Sequence, residues 1–392
     1  MSGLAAGHAF ADSCQGAVPA LLPFLIAERG LSYAAASALV LAATVSSSVV
    51  QPLFGFLSDR RSLDRLMPLG VLLAGLGIAL AGLTPSYPLL FAAVVLSGLG
   101  VAAFHPEAAR FANYVSGDRR ATGMSAFSLG GNAGFALGPV MITPAVIVFG
   151  LPGTLAILVP AGVTALVLWR ELPRLRGFRP AGGPAAARAD APRPDAWGPF
   201  ARLGAVTALR SFVFFGLLTF VPLYFVAELG ASKAAANSAL TVLLVGGAVG
   251  TLIGGRLADR IGRRAVLLGS MAVLPPMVLA FLAAGPDLAF LVLLLVGAAT
   301  VSTFSVTVVM GQEYLPGRLG VASGVMFGLS IGMGGVGASL LGLVADAYGV
   351  ARALEVVAAL PLAGLALTLT LPSVLGRKQE ERPHPGPAAP AA

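Results

Sequence analysis

Gly255-Arg256-Leu257-Ala258-Asp259-Arg260-Ile261-Gly262-Arg263-Arg264 is a short charged turn between two long apolar runs, and Gly55-Phe56-Leu57-Ser58-Asp59-Arg60-Arg61 repeats its core at a spacing of 200 residues. A glycine lets two helices approach closely, and the aspartate can pair with a neighbouring base or with a helix N-terminus. Gly55, Asp59, Arg60, Gly255, Asp259, Arg260, Gly262 and Arg263 are thus the parts of a latch that holds one arrangement of helices and releases it in another. A charged turn that only enforces topology needs similar residues; the recurrence at equivalent places favours the latch. The first copy departs from the second, because Ser62, Leu63 and Asp64 stand where the second has Gly262, Arg263 and Arg264. Its latch is expected to be weaker or differently paired.

The same spacing aligns Glu28 with Glu228, Gly30 with Gly230, Ser32 with Ser232, Phe127 with Phe327 and Gly134 with Gly334. The chain between these markers is built for lipid. Hydrophobic residues make up 57% of the 392 positions and charged residues 11%, against about 25% charged in soluble domains; the mean hydropathy is +0.89. Twelve apolar runs are each long enough to cross a hydrocarbon core of about 30 Å as a helix. They cover 4–28, 34–57, 66–84, 88–112, 121–149, 151–170, 200–227, 234–258, 264–284, 287–311, 317–348 and 350–374. The expected fold is an all-α membrane protein of twelve transmembrane helices in two six-helix, pseudo-symmetric halves. An even number of spans per half gives both halves the same orientation and places a substrate site between them. The halves are expected at 1–170 and 200–375. A flexible linker rich in Pro, Gly, Ala and Arg falls at 171–199, and a disordered tail at 376–392.

Charge distribution sets the orientation. Of the 25 Lys and Arg residues, only Arg29, Lys233 and Arg352 fall in loops on one side, Arg210 lies within a span, and the rest cluster on the other side. The positive-inside rule then puts both termini in the cytoplasm. The first apolar run has no basic segment or small-residue cleavage site before it and reads as a retained helix. Topology accounts for the net charge of +8, so no nucleic-acid partner is expected. Cys14, the single cysteine, excludes an internal disulfide and a cysteine-based metal cluster. His105-Pro106-Glu107 lacks the spacing of a metal-binding His-Glu-x-x-His helix, and no phosphate-cradling Gly-rich loop with Lys occurs. Neither an enzyme nor a cofactor or metal site is expected, nor ATP hydrolysis as the driving force.

Polar residues inside spans are costly and mark function or structural pairing. In the first span His8, Asp12 and Gln15 follow a spacing that puts them on one stripe. The fourth span carries His105, Glu107 and Arg110 around Pro106, with Glu107 and Arg110 three residues apart and able to pair. Asp12, with Glu107, is the candidate carrier of a coupling proton; interhelical hydrogen bonding and a structural ion pair are the plainer alternatives. Arg210, about ten residues into the seventh span, has no acid within four positions. It either binds an anionic substrate or neutralises Asp12 or Glu107 across the cavity. His8, Gln15, His105, Arg110, Asn132 and Arg210 form the candidate substrate set. Gln312 and Glu313 close the tenth span and read as structural. In the fifth span Gly130, Gly134 and Gly138 line one face for close packing, and Pro139 permits a bend.

The paired Gly-x-x-x-Asp-Arg turns, twelve spans and central linker resemble the major facilitator superfamily over nearly the whole chain. Gly130, Gly134, Gly138 and Pro139 are similar to the antiporter motif of its drug exporters, although Met141 and Ile142 stand where further glycines are customary. His8-x-x-x-Asp12, Gln51-Pro52-x-x-Gly55, Phe104-His105-Pro106-Glu107-Ala108 and Gly130-Gly131-Asn132 resemble the fosmidomycin resistance proteins within it. This resemblance implies a monomeric, proton-driven exporter of a small compound, the namesake being an anionic phosphonate. Export by alternating access is the expected function, with a small molecule, protons and the lipid bilayer as partners. The alternatives are an importer of an organic anion or metabolite on the same scaffold and a transporter-like sensor or scaffold that moves nothing.

Overall fold

The computed structural model describes residues 1–51, 53–54, 57, 63–117, 120–178 and 194–372. Gly55, Asp59 and Arg60 of the first charged turn, most of the linker and the tail lie outside the described residues. Twelve helical spans run in order: α1 (Ser2–Arg29), α2 (Tyr33–Ser48), α3 (Leu66–Leu83), α4 (Tyr87–Ser116), α5 (Arg120–Phe149) and α6 (Leu158–Arg176, entered through a 3-10 turn at Leu151–Ile157). The second half follows with α7 (Trp197–Ala227), α8 (Lys233–Ile261), α9 (Arg263–Ala283), α10 in two segments (Pro286–Val301 and Phe304–Tyr314), α11 (Leu319–Tyr348) and α12 (Val350–Leu369). Among the described residues, eleven spans are long and apolar enough to cross a membrane, and the described part of α2 adds 16 apolar-rich residues.

The internal repeat is written into the backbone. Gly30 and Gly230 both end a first helix in the left-handed region, at φ 63° and 61°, where a side chain would be strained. Two residues on, Ser32 and Ser232 cap the next helix, their hydroxyls accepting the N–H of Ala35 and Ala235 at 3.1 and 3.2 Å. A capping serine satisfies one of the donors that a helix start leaves free. Each later helix of the first half has its counterpart at nearly the same spacing.

At the linker, helix extends beyond the apolar run. α6 continues past residue 170 to Arg176 because Leu168, Leu172 and Leu175, spaced four and three apart, all remain buried. The chain then resumes as helix at Trp197.

Lipid tails are as apolar as leucine, so helices in a bilayer associate through close packing of small residues and not through apolar burial alone. α1 packs chiefly on α5, α3 on α4, α7 on α11 and α12, and α8 on α10. Gly130, Gly134 and Gly138 on α5 each set their bare Cα against the α1 backbone, where an added Cβ would strike the carbonyls of Ala5, Ala9 and Ser13. Gly16 on α1 returns the contact against Phe135. Large apolar side chains such as Phe149, Val159 and Leu343 are left on the outer surface to face lipid.

The halves meet where α2 lies along α11 and α5 along α8. Named polar ties join them toward the face opposite Met1. Asp346 of α11 accepts the N–H groups of Tyr33 and Ala34 at the start of α2. Asn237 of α8 donates to the Ala20 carbonyl at 3.0 Å and to the Thr143 hydroxyl at 2.8 Å. Lys233 lies 3.9 Å from Glu28 and 4.7 Å from the centre of the Phe24 ring.

Candidate functional site

α1, α4 and α5 bring a compact polar cluster together inside the first half. Asp12 on α1 is 7% exposed. Its Oδ2 lies 3.3 Å from His8 Nε2, one helical turn earlier, and its Oδ1 lies 3.2 Å from His105 Nε2 on α4. Each imidazole is oriented from behind by a backbone carbonyl: Nδ1 of His8 is 2.8 Å from Phe127 O on α5, and Nδ1 of His105 is 2.8 Å from Val101 O on its own helix. The His8 ring stacks on Phe127 at 4.1 Å and meets His105 edge-on at 4.9 Å. Gly131 leaves room for the cluster, because a Cβ there would come within 2.6 Å of both Asp12 Oδ2 and His8 Nε2.

Other predicted residues stand apart from this cluster or beside it. Gln15 is buried one turn further along α1, and Asn132, next to Gly131, is half-buried. Glu107 is fully buried and receives Arg110 Nη2 on both oxygens at 2.7 Å. Its Oε1 also accepts the N–H of Leu63 at 3.1 Å, which ties the α2–α3 turn to α4. Three charge-assisted contacts on one carboxylate make a firm structural joint.

Arg210 on α7 is 2% exposed. Its Nη2 donates to Ser330 Oγ on α11 at 3.0 Å, and its guanidinium lies 5.5 Å from the centre of the Phe304 ring. Nε has no hydrogen-bond partner among the described residues. No carboxylate among the described residues forms an ion pair with it, so the contacts to Asp12 and Glu107 expected under one reading are not made in this conformation.

The second charged turn is fully described. Gly262 takes φ 92° between α8 and α9, Gly255 is half-buried, and Asp259 and Arg260 are exposed. Arg263 forms an ion pair with Glu313 at the end of α10, and Arg264 Nη2 donates to the Leu369 carbonyl at 2.7 Å at the end of α12. Gln312 Nε2 donates to Ser323 Oγ at 2.8 Å, in keeping with a structural role for the end of α10. In the first half the equivalent tie is reversed in charge: Arg176 Nε at the end of α6 donates to Asp64 Oδ2 at 2.5 Å. Asp64 and Arg264, at matching positions, thus take partners of different kinds. Gly130, Gly134, Gly138 and Pro139 lie on α5 as described, all at its buried face except the half-buried Gly130.

The sequence profile of the Major Facilitator Superfamily matches residues 4–232 and again residues 203–391. The chain belongs to the major facilitator superfamily. It is a multi-pass secondary transporter and not an enzyme. The chain is 33% identical over 375 residues to the uncharacterized MFS-type transporter YfnC of Bacillus subtilis (strain 168), covering 93% of this chain and 91% of that one. It is 31% identical over 383 residues to the fosmidomycin resistance protein of Escherichia coli (strain K12), covering 95% and 92%. Among solved structures it resembles a bacterial homologue of the human lysosomal transporter Spinster in an inward-facing, occupied conformation, with a TM-score of 0.76 at 16% identity over 94% and 95% of the two chains. It also resembles the nucleoside transporter NupG, with a TM-score of 0.74 at 13% identity over 94% and 98%. These likenesses establish the transporter fold.

Asn237, Asp346 and Ser330 make long-range ties that no motif in the sequence marks. Asn237 carried a readable signal, as a lone amide in an apolar span. Asp346 and Ser330 carried none, since their partners are a backbone and a side chain over a hundred residues away.

Proposed function

We propose that this superfamily member exports a small anionic compound from the cytoplasm in exchange for protons, by alternating access between its two halves. Arg210 carries the reading. A guanidinium buried in a membrane span is costly, on the order of 2.5–3.5 kcal/mol on insertion scales, and removing a partner from a buried charge costs more still. Among the described residues Arg210 has a hydroxyl and a ring face as neighbours and no carboxylate. An anionic substrate supplies the missing charge when it binds.

Asp12 supplies the coupling proton site, since its carboxylate is the acid of the polar cluster in the first half, with Glu107 fastened into its own joint. His8, His105, Gln15 and Asn132 line the route beside it. In this reading the face carrying Met1 is cytoplasmic, the substrate enters there, and the ties at Asp346, Asn237 and Lys233 close the outer face. The charged turns and the α5 glycine face are the parts that shift when the halves rock. A relative named for fosmidomycin resistance supports a compound of that kind as the first candidate.

The test is accumulation of labelled fosmidomycin and a panel of unrelated drugs in cells with and without the protein, repeated after the proton gradient is collapsed. Export predicts lower accumulation that recovers on collapse. Unchanged accumulation of every compound, with the protein present in the membrane, would remove drug export and turn attention to metabolite uptake.

A further inference from the structure

The hydrogen bonds behind the two imidazoles determine what their front nitrogens can do. A carbonyl oxygen only accepts, so the contacts of His8 Nδ1 with Phe127 O and of His105 Nδ1 with Val101 O place a proton on Nδ1 of each ring. In a neutral imidazole with that tautomer, Nε2 is a bare lone pair. Both Nε2 atoms point at oxygens of Asp12, 3.3 and 3.2 Å away, which are lone pairs as well. Lone pairs gathered so closely need positive charge between them. A proton on Asp12 can serve only one of the two rings, so either the cluster takes up further protons or one cation serves all three groups.

Four observations favour the single cation. One ligand atom from each of His8, Asp12 and His105 lies within 4.8 Å of the others. Ligands at about 2.0–2.1 Å on a tetrahedral ion stand roughly 3.3–3.4 Å apart, so a closure of roughly an ångström completes the geometry. Histidines that bind metal almost always donate the other ring N–H to a carbonyl or carboxylate, which fixes the ring and raises its basicity; both rings here are already so held. Gly131 keeps the space beside Asp12 Oδ2 and His8 Nε2 free, where any side chain would intrude. The three side chains are 12%, 10% and 20% exposed, so the cluster is reachable.

We propose that His8, Asp12 and His105 form a binding site for one divalent transition-metal ion of the zinc, cobalt or nickel class. Two imidazoles and one carboxylate suit ions of borderline softness and disfavour calcium and magnesium, which take oxygen ligands. Three protein ligands leave at least one coordination position open. The sequence places His8 and Asp12 on one stripe but does not join His105 to them, because only the packing of α1 against α4 and α5 brings it there. On the export reading Asp12 alternates between the coupling proton and the ion, so that protonation releases the metal; that consequence rests on that reading, while the site itself does not.

The experiment uses the full chain, purified in detergent with an affinity tag free of histidine and stripped of metal with a chelator. Cobalt(II) is titrated by visible absorption and zinc(II) by calorimetry and competition. The expected result is one ion per chain, a tetrahedral-type cobalt spectrum displaced by zinc, and affinity weakened about tenfold or more by Asp12→Asn and by His105→Gln. Gly131→Ala keeps every ligand and should also weaken binding. His384→Ala, which removes the only other histidine, should leave it unchanged. Absence of saturable binding in wild-type protein that still melts cooperatively would overturn the proposal, as would binding that survives Asp12→Asn and His105→Gln. Intact metal binding with no transport of any compound would instead overturn the export reading and leave the site standing.

Discussion

Asp346, two residues before the end of α11, accepts the backbone N–H groups of Tyr33 and Ala34 at 2.7 and 3.0 Å, so one half of the transporter caps a helix of the other. The carboxylate sits at the positive end of α2, beside the Ser32 cap, where both the free donors and the helix dipole favour negative charge. It fastens the halves at the face opposite Met1 and has to let go whenever that face opens.

Asp346→Ala should therefore loosen that face without unfolding either half. An exposed charge at a helix N-terminus contributes about 0.3–1 kcal/mol, which shifts the balance of conformations by a factor of up to about five. Spin labels at Glu28 and Tyr348, in a background where Cys14 is replaced by alanine, would show a larger long-distance population in electron spin resonance distance measurements. An unchanged distribution would mean that Asp346 is not part of the closure.

Asn237 makes the same kind of tie in a buried setting. Asn237→Ala leaves the Ala20 carbonyl and Thr143 hydroxyl without their donor, a loss of about 1–3 kcal/mol. Because the tie spans the halves, the cost should appear mainly as a shift toward the form open at that face, with a smaller drop in melting temperature. Both are read on one purified sample.

Arg210 separates substrate binding from scaffolding by the sign of a stability change. Arg210→Met removes a buried charge that has no acidic partner among the described residues, so melting temperature should hold or rise while transport falls at least about tenfold. Arg210→Lys should retain part of the activity through its point charge. A marked drop in melting temperature with Arg210→Met would assign the residue to the scaffold.

Gly134→Ala forces a Cβ into the Ala9 backbone on α1 and should destabilise by about 1–3 kcal/mol through overpacking. Gly162→Ala on α6 is the control, since nothing among the described residues lies within 4 Å of its added carbon beyond its own helix backbone. Thermal melts of the two variants in the same detergent should part clearly.

The Arg263–Glu313 pair is partly exposed, at 30% and 28% of the two side chains, and should show a coupling of up to about 1 kcal/mol in a double-mutant cycle. Arg263→Glu with Glu313→Arg should recover what either charge reversal alone loses. Failure of the swap would show that Arg263 acts through another contact.

The fold was legible in the sequence because the bilayer imposes a coarse rule: long apolar runs, charged breaks and a repeat at 200 residues leave few arrangements open. The glycine face of α5 was legible for the same reason, as spacing on one helix. Stripe membership also foresaw His8 with Asp12, one turn apart. What brings His105 to the other oxygen of Asp12 is the packing of two helices, which no local pattern encodes. Glu107 shows the converse. Its pairing with Arg110 could be read from the three-residue spacing, but the N–H of Leu63 that completes the joint belongs to a turn whose path only the folded chain reveals.

The reversed tie at positions 64 and 264 bears on how the chain assembles in the membrane. Asp64 attracts the arginine that ends α6, whereas Arg264 seeks the bare carbonyls that end α12. If α6 docked onto the second half by mistake, two arginines would face each other; if α12 docked onto the first, a carboxylate would face carbonyl oxygens. Duplicated halves share a shape and invite such exchanges during synthesis. Opposite charges at one register would disfavour each hybrid and favour each half closing on its own last helix.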